Sequence, residues 1–196
     1  MPRVDTDTFY RSALARYGEN AEGVHWDSTR AQQVRFAALR AFLPADLSAL
    51  TLVDVGCGLG DLHGFLAAAG ELPACYIGVD CVEPMVAIAR SRTGCRVLQR
   101  DVLTDRLPGG DFYVCSGAMN TLTPEETELF IRRCFAAARR GFVFNLLKGR
   151  SRPGAFNHCL PADLRGLAEA LGVEPLFADN YLPADFTAAF LRAASD

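Results

Sequence analysis

The sequence predicts an α/β fold: a doubly wound, mostly parallel, seven-stranded sheet that ends in an antiparallel hairpin and carries a helical N-terminal segment. Three observations predict it. From Leu50 onward, short apolar runs alternate with helical stretches, the pattern of βαβ units whose sheet is covered on both faces. Only 182–185 separate the last two strand-like runs, too few for a parallel crossover, so those two strands pair antiparallel. Before Pro44 there is no strand pattern, and apolar residues recur at helical spacing.

The elements follow in order. Two helices are expected between Asp7 and Phe42, broken at Tyr17-Gly18-Glu19-Asn20 and at Gly23-Val24-His25-Trp26. Asp27 or Ser28 caps the second, which shows Val34, Phe36, Leu39 and Phe42 on one face. Strands are expected at 51–55, 75–79, 96–99, 111–116 and 141–146, and the hairpin strands at 174–181 and 186–192. Helices are expected at 61–69, 84–90, 124–139 and 161–171. The chain therefore divides into a helical lid, 1–48, and one α/β domain, 49–196.

Composition narrows the function. Half of the 196 residues are hydrophobic and the formal net charge is −3, which supports a sizeable core and argues against a disordered chain or an extended nucleic-acid surface. No apolar run reaches the ~18 residues of a membrane span, and the polar start, Met1 to Asp7, does not read as a signal peptide. Seven scattered cysteines without a C-x-x-C pair fit neither a disulfide framework nor a zinc site. Reduced thiols in a cytoplasmic protein are expected. The chain reads as a monomer or a homodimer.

The segment richest in chemistry is Leu52-Val53-Asp54-Val55-Gly56-Cys57-Gly58-Leu59-Gly60-Asp61. A strand runs into three alternate glycines and then into a helix, whose free N–H groups suit an anionic group. Dinucleotide folds use G-x-G-x-x-G. Here the spacing is G-x-G-x-G, with an acid two residues before the first glycine.

That spacing resembles the first motif of the class I S-adenosylmethionine-dependent methyltransferases, a Rossmann-like family. The resemblance extends through Tyr76-Ile77-Gly78-Val79-Asp80, the helix after it, and Asp101 at the end of the third strand, and it covers 49–196. It implies S-adenosyl-L-methionine as cofactor. Asp80 lies twenty residues after Gly60, suited to both ribose hydroxyls. Asp101 suits the adenine amine and the Val102 N–H the ring, with Val82 and Met85 as apolar faces beside Cys81. The loop residues Gly56, Cys57, Gly58 and Gly60 would hold the methionyl carboxylate and Asp54 its ammonium. Ser116 and Gly117, at the end of strand four, would approach the sulfonium.

Methyl transfer is an in-line displacement in which alignment and exclusion of water dominate. The acceptor is expected above strands four and five, where Asn120 and Asn145 either orient it or form strand-end turns. The family's Asn/Asp-Pro-Pro-aromatic tetrad for amino acceptors is absent, as are magnesium-type acid clusters, so a small acceptor and a metal-independent reaction are expected. Lid helices in such enzymes fold over the cofactor. Trp26 then either covers the cofactor or packs between lid and sheet, and His25 or Arg35 faces the reacting groups, with Gln32 nearby. His63 reads as an ordinary helix residue, and His158 as a loop residue or one that reaches the acceptor. Arg132, Arg133, Arg139 and Arg140 read as one solvated helix face. Lys148, Arg150 and Arg152 form either an exposed loop or a rim for an anionic acceptor. The competing readings are a non-catalytic cofactor-binding module and another nucleotide-cofactor enzyme on the same scaffold.

Overall fold

A computed structural model describes residues 4–26, 28–150 and 156–193. The sheet follows the order β3-β2-β1-β4-β5-β8-β7, with β1 (Thr51–Val55), β2 (Cys75–Asp80), β3 (Arg96–Gln99), β4 (Gly110–Ser116), β5 (Ala138–Lys148), β7 (Pro175–Ala178) and β8 (Asp185–Leu191). The first five are parallel, and β8 lies antiparallel to both β5 and β7. The chain reverses between β1 and β4, so the carboxyl ends of both open onto one crevice. An eighth strand, β6 (His158–Cys159), has no counterpart in the sequence pattern. Two residues carry too little periodicity to register, yet β6 pairs with Leu147 and Lys148 of β5 beyond the end of β4.

Six α-helices accompany the described strands: α1 (Thr6–Tyr17), α2 (Thr29–Arg40), α3 (Asp61–Ala69), α4 (Glu83–Thr93), α5 (Pro124–Ala137) and α6 (Arg165–Ala170). Strand alternation sorts the core onto two faces. Val53, Val55, Tyr113, Phe142 and Phe144 meet Phe130, Ile131 and Phe135 of α5 on one face. Leu52, Val114 and Val143 meet Leu62 and Leu66 of α3 and Phe36 and Leu39 of α2 on the other.

The structure corrects several expectations. Before β1, helix α2 shares the core with the sheet, whereas α1 and the 3₁₀ turn at Glu22–Val24 lie outside the two large core clusters. Ser28 caps α2, its Oγ accepting from Ala31 N at 3.1 Å, and the alternative cap, Asp27, lies outside the described residues. The expected helix at 161–171 is a 3₁₀ turn followed by six α-helical residues. Arg139 and Arg140 belong to β5, not to a helix. Arg133 is not on a solvated face either. It donates to the carbonyls of Val102 and Asp105 and so ties α5 to the loop after β3. Arg132 pairs with Glu128 at 2.8 Å as an exposed i, i+4 pair.

Candidate functional site

The site begins where β1 ends. Gly56 N and Cys57 N both donate to the Val79 carbonyl, at 2.7 and 3.1 Å, which pins the loop to the end of β2. Gly58 N then donates to Asp80 Oδ2 and Val82 N to Asp80 Oδ1, each at 2.9 Å. Both carboxylate oxygens are thereby oriented by backbone, with lone pairs to spare for a ligand. Gly58 sits at φ 52°, in the left-handed region that favours glycine. Gly60 serves packing instead: a Cβ there would lie 2.6 Å from Thr93 Cγ2 of α4, and the residue does not reach the cavity wall. Helix α3 starts without a side-chain cap, leaving free N–H groups at the loop.

Asp54 lies beneath the loop, 3% exposed. Burial raises its pKa to about 7 against the lowering effect of a hydrogen bond from Tyr76, and the nearby charges of Asp80 and Asp61 raise it further. Tyr76 Oη donates to Asp54 Oδ2 at 2.5 Å. Asp80 is also raised, chiefly by burial, against its backbone donors. Titratable groups shifted by burial inside a cleft cluster at functional sites.

A cavity of about 580 Å³ opens over these groups. Its inner end holds Asp54, Gly56, Cys57, Gly58 and Asp80, and one wall holds Cys81, Met85, Asp101 and Val102. Val82 is buried behind that wall and does not reach it. Opposite lie Ser116, Gly117 and Asn120; Tyr10, Val24, His25 and Trp26 line it from the N-terminal segment. Trp26 packs so closely on Gly117 that a Cβ there would meet the indole at 2.6 Å. His25 is exposed with φ 60°; its ring stacks on Phe9 at 3.8 Å, and its Nε2 lies 3.3 Å from the Phe9 carbonyl.

Besides Gly60, two predicted site residues stand elsewhere. Arg35 is buried and donates to both oxygens of Asp185, at 2.8 and 2.6 Å, while its guanidinium lies 4.5 Å from the centre of the Trp26 ring. It packs behind Trp26 and does not line the cavity. Asn145 is 1% exposed, accepting from Ser116 Oγ and donating to Thr187 Oγ1, both at 2.8 Å. It braces β5 against β8 from outside the cavity. Of the expected basic rim, Lys148 is paired with Asp179 at 2.7 Å, neither it nor Arg150 lines the cavity, and Arg152 lies outside the described residues. His63 packs edge-on against Tyr76, and His158 sits in β6; neither reaches the cavity. Gln32 does, donating to Asp61 Oδ2 at 2.9 Å.

Sequence reasoning misses Tyr10, Phe156 and the Tyr76–Asp54 contact. The last depends on register: Asp54 pairs with Gly78, which places Tyr76 diagonally beside it on the same face. Tyr10 follows Phe9 on a helix of weak periodicity, and nothing in the local sequence separates it from surface residues. The residues at 52–141 match a family model described as "Methyltransferase domain". That match runs from β1 into β5 and so spans the glycine loop and the three strand-end acids. No curated protein sequence is significantly similar to the whole chain.

Solved structures share the domain's fold. Magnesium protoporphyrin IX methyltransferase from Synechocystis PCC 6803, with bound SAM, superposes with a TM-score of 0.71 at 18% identity, covering 98% of this chain and 100% of that one. A DhpI-SAM-HEP complex gives 0.71 at 16%, covering 95% of each chain. The pyocyanin biosynthetic protein PhzM gives 0.68 at 19%, covering 94% of this chain and 62% of that one. At these identities the likeness establishes the fold alone. Among the described residues, no helix is long and apolar enough to cross a membrane.

Proposed function

We propose that the chain transfers a methyl group from S-adenosyl-L-methionine to a small-molecule acceptor. One observation carries this reading: Asp54, Asp80 and Asp101, from three successive strand ends, line one cavity together with the glycine loop. The neighbours crystallised with SAM, among them the porphyrin methyltransferase and the DhpI complex, support the same cofactor.

The residues fit that group. Asp80, bracketed by two backbone donors, presents acceptors to a pair of ribose hydroxyls. The capless start of α3 and the glycine backbone suit a carboxylate. Asp54, buried and half-neutral near pH 7, gains most from a cationic partner such as an ammonium. Asp101 and Val102 offer an acceptor and a donor to a base edge beside the apolar Met85. When bound, the cofactor supplies an electrophilic methyl group on a sulfonium, whose departure leaves a neutral thioether. What remains for the chain is to align the acceptor and keep water out. The N-terminal segment is placed to do both. Helix α1 and the 3₁₀ turn act as a lid, with Trp26 covering the cavity and held by Arg35 and Gly117. A base matters only where the acceptor's proton is poorly acidic, and His25 is the histidine that lines the cavity.

Calorimetry with S-adenosylhomocysteine and with NAD tests the cofactor. Binding of the first alone supports the reading; binding of NAD alone refutes it. Production of S-adenosylhomocysteine on adding a small acceptor separates an enzyme from a silent binding module. A Trp26→Ala variant with unchanged cofactor affinity and turnover would remove the lid role.

A further inference from the structure

Helix α1 stands apart from the two large core clusters, yet it has a seat of its own. Asp5 caps it, accepting from Thr8 N at 3.3 Å, and Tyr10 and Leu14, four residues apart, fall on one face. That face packs, with Val24 of the 3₁₀ turn, on a small separate cluster of Leu59, Val82 and Met85. Leu59 follows Gly58 in the glycine loop. Gly58 N and Val82 N are the two donors that bracket the Asp80 carboxylate. The Tyr10 ring therefore lies beside Asp80, and it lines the cavity.

The two groups complement each other as donor and acceptor. Burial pushes the Tyr10 phenol well above its usual range, the Asp80 charge pushes it further, and no hydrogen bond contributes. The phenol keeps its proton near neutral pH and so can donate. Phe9 and His25 meet its ring edge-on, at 5.3 and 5.6 Å, which restricts where the hydroxyl can point. The Asp80 carboxylate accepts one backbone N–H on each oxygen and has lone pairs left. A pair of neighbouring hydroxyls placed between them satisfies both. Each gives its hydrogen to the carboxylate and keeps lone pairs for the phenol.

The polar ties of the N-terminal segment run to the same side. Arg92 donates to the Glu19 carbonyl at 2.6 Å and to Asp61 Oδ1 at 3.3 Å, and Arg11 lies 4.0 Å from Glu83. Arg92 and Glu83 both belong to α4, the helix that follows Asp80. These ties are exposed and individually weak. What is bound beneath Tyr10 therefore bears directly on how firmly α1 sits.

Resting on the methyltransferase reading, we propose that Tyr10 is a cofactor-binding residue, its phenol donating to a ribose hydroxyl oxygen of the nucleoside that Asp80 holds. Helix α1 then seats on the nucleoside half of the cofactor, while Trp26 packs on Gly117 at the end of β4.

Calorimetry on the wild-type protein and on Tyr10→Phe tests it with two ligands, S-adenosylhomocysteine and 5′-methylthioadenosine. The second keeps the nucleoside and lacks the amino-acid end. Phenylalanine retains the packing and removes only the donor. Both ligands are therefore expected to bind the variant about fivefold more weakly, the size of one neutral hydrogen bond, with the thermal midpoint of the empty protein unchanged. In the wild type, S-adenosylhomocysteine should also slow tryptic cleavage at the exposed Arg11 and Arg16 of α1, and in the variant it should slow it less. Unchanged affinity for both ligands overturns the proposal. So does a loss confined to S-adenosylhomocysteine, which puts the contact at the amino-acid end, or a lowered midpoint of the empty variant, which makes the hydroxyl structural. Failure of S-adenosylhomocysteine to bind the wild type would instead refute the cofactor reading on which the proposal rests.

Discussion

The inner and outer ends of the cavity are built by different means. At the inner end backbone amides do the holding: two N–H groups converge on the Val79 carbonyl and two more on the Asp80 carboxylate. At the mouth there are stacked side chains, one half-buried indole, and a ring open to solvent. Backbone geometry tolerates side-chain change, whereas stacking surfaces do not. The inner end is thus fixed by chain topology, and the mouth by the identity of a few rings, which is where acceptor choice belongs.

The largest expected effect tests how the roof is anchored. Arg35→Met strands the Asp185 carboxylate, 2% exposed, and should cost about 3–5 kcal/mol of stability in denaturant unfolding. Adding Asp185→Leu should restore most of it, because a pair of apolar residues leaves no unpaired charge. If the single variant costs under ~1 kcal/mol, the pair does not anchor the roof.

Next comes the inner end. Asp80→Ala removes the proposed ribose acceptor and unties Gly58, so affinity for S-adenosylhomocysteine should fall on the order of 100-fold by calorimetry. A fall under tenfold would place the ribose elsewhere.

A smaller effect is set by pH. Asp54 is raised from 3.8 to about 7, so the folded apoprotein binds more protons than the unfolded chain between those values. Its stability should therefore decline as pH rises from about 4 to 7. Ligand affinity should move the other way. An ammonium needs the carboxylate, so binding of S-adenosylhomocysteine should strengthen about tenfold between pH 6 and pH 8, and Asp54→Asn should flatten that profile.

The smallest effect belongs to the rim. Lys148→Ala breaks an exposed pair with Asp179 and should cost under ~1 kcal/mol, with cofactor affinity unchanged. A marked loss of acceptor binding would revive an anionic acceptor.

The inner end is largely legible in the sequence because strand, glycines and strand-end acids are neighbours along the chain or sit at fixed distances from one another. Spacing points to Asp54, Asp80 and Asp101 together, and all three line the cavity. Arg35 is not legible in the same way, because its partner lies 150 residues away and only the β5–β8 register brings the two together. Gly60 reads as a cofactor residue because it is third in the motif, yet the close approach it permits is to Thr93. Asn145 sits at a strand end, as an orienting residue would, but its amide is absorbed by Ser116 and Thr187. Local spacing reports the backbone of a site; pairings between distant segments decide which polar side chains remain free.

The separation between Arg35 and Asp185 has a consequence for the order of assembly. Strand β8 inserts between β5 and β7 although it follows both along the chain. A growing chain has every strand-end acid in hand well before β8 emerges, while the guanidinium behind the roof still lacks its counter-ion. Helix α2 can complete its buried contacts only when β8 arrives, since Arg35 and Asp185 are 150 residues apart. Helix α2 is therefore locked only after β8 has paired, and a ribosome-bound chain stopped before Asp185 should be far more open to proteolysis at α2 than at β1 and β2.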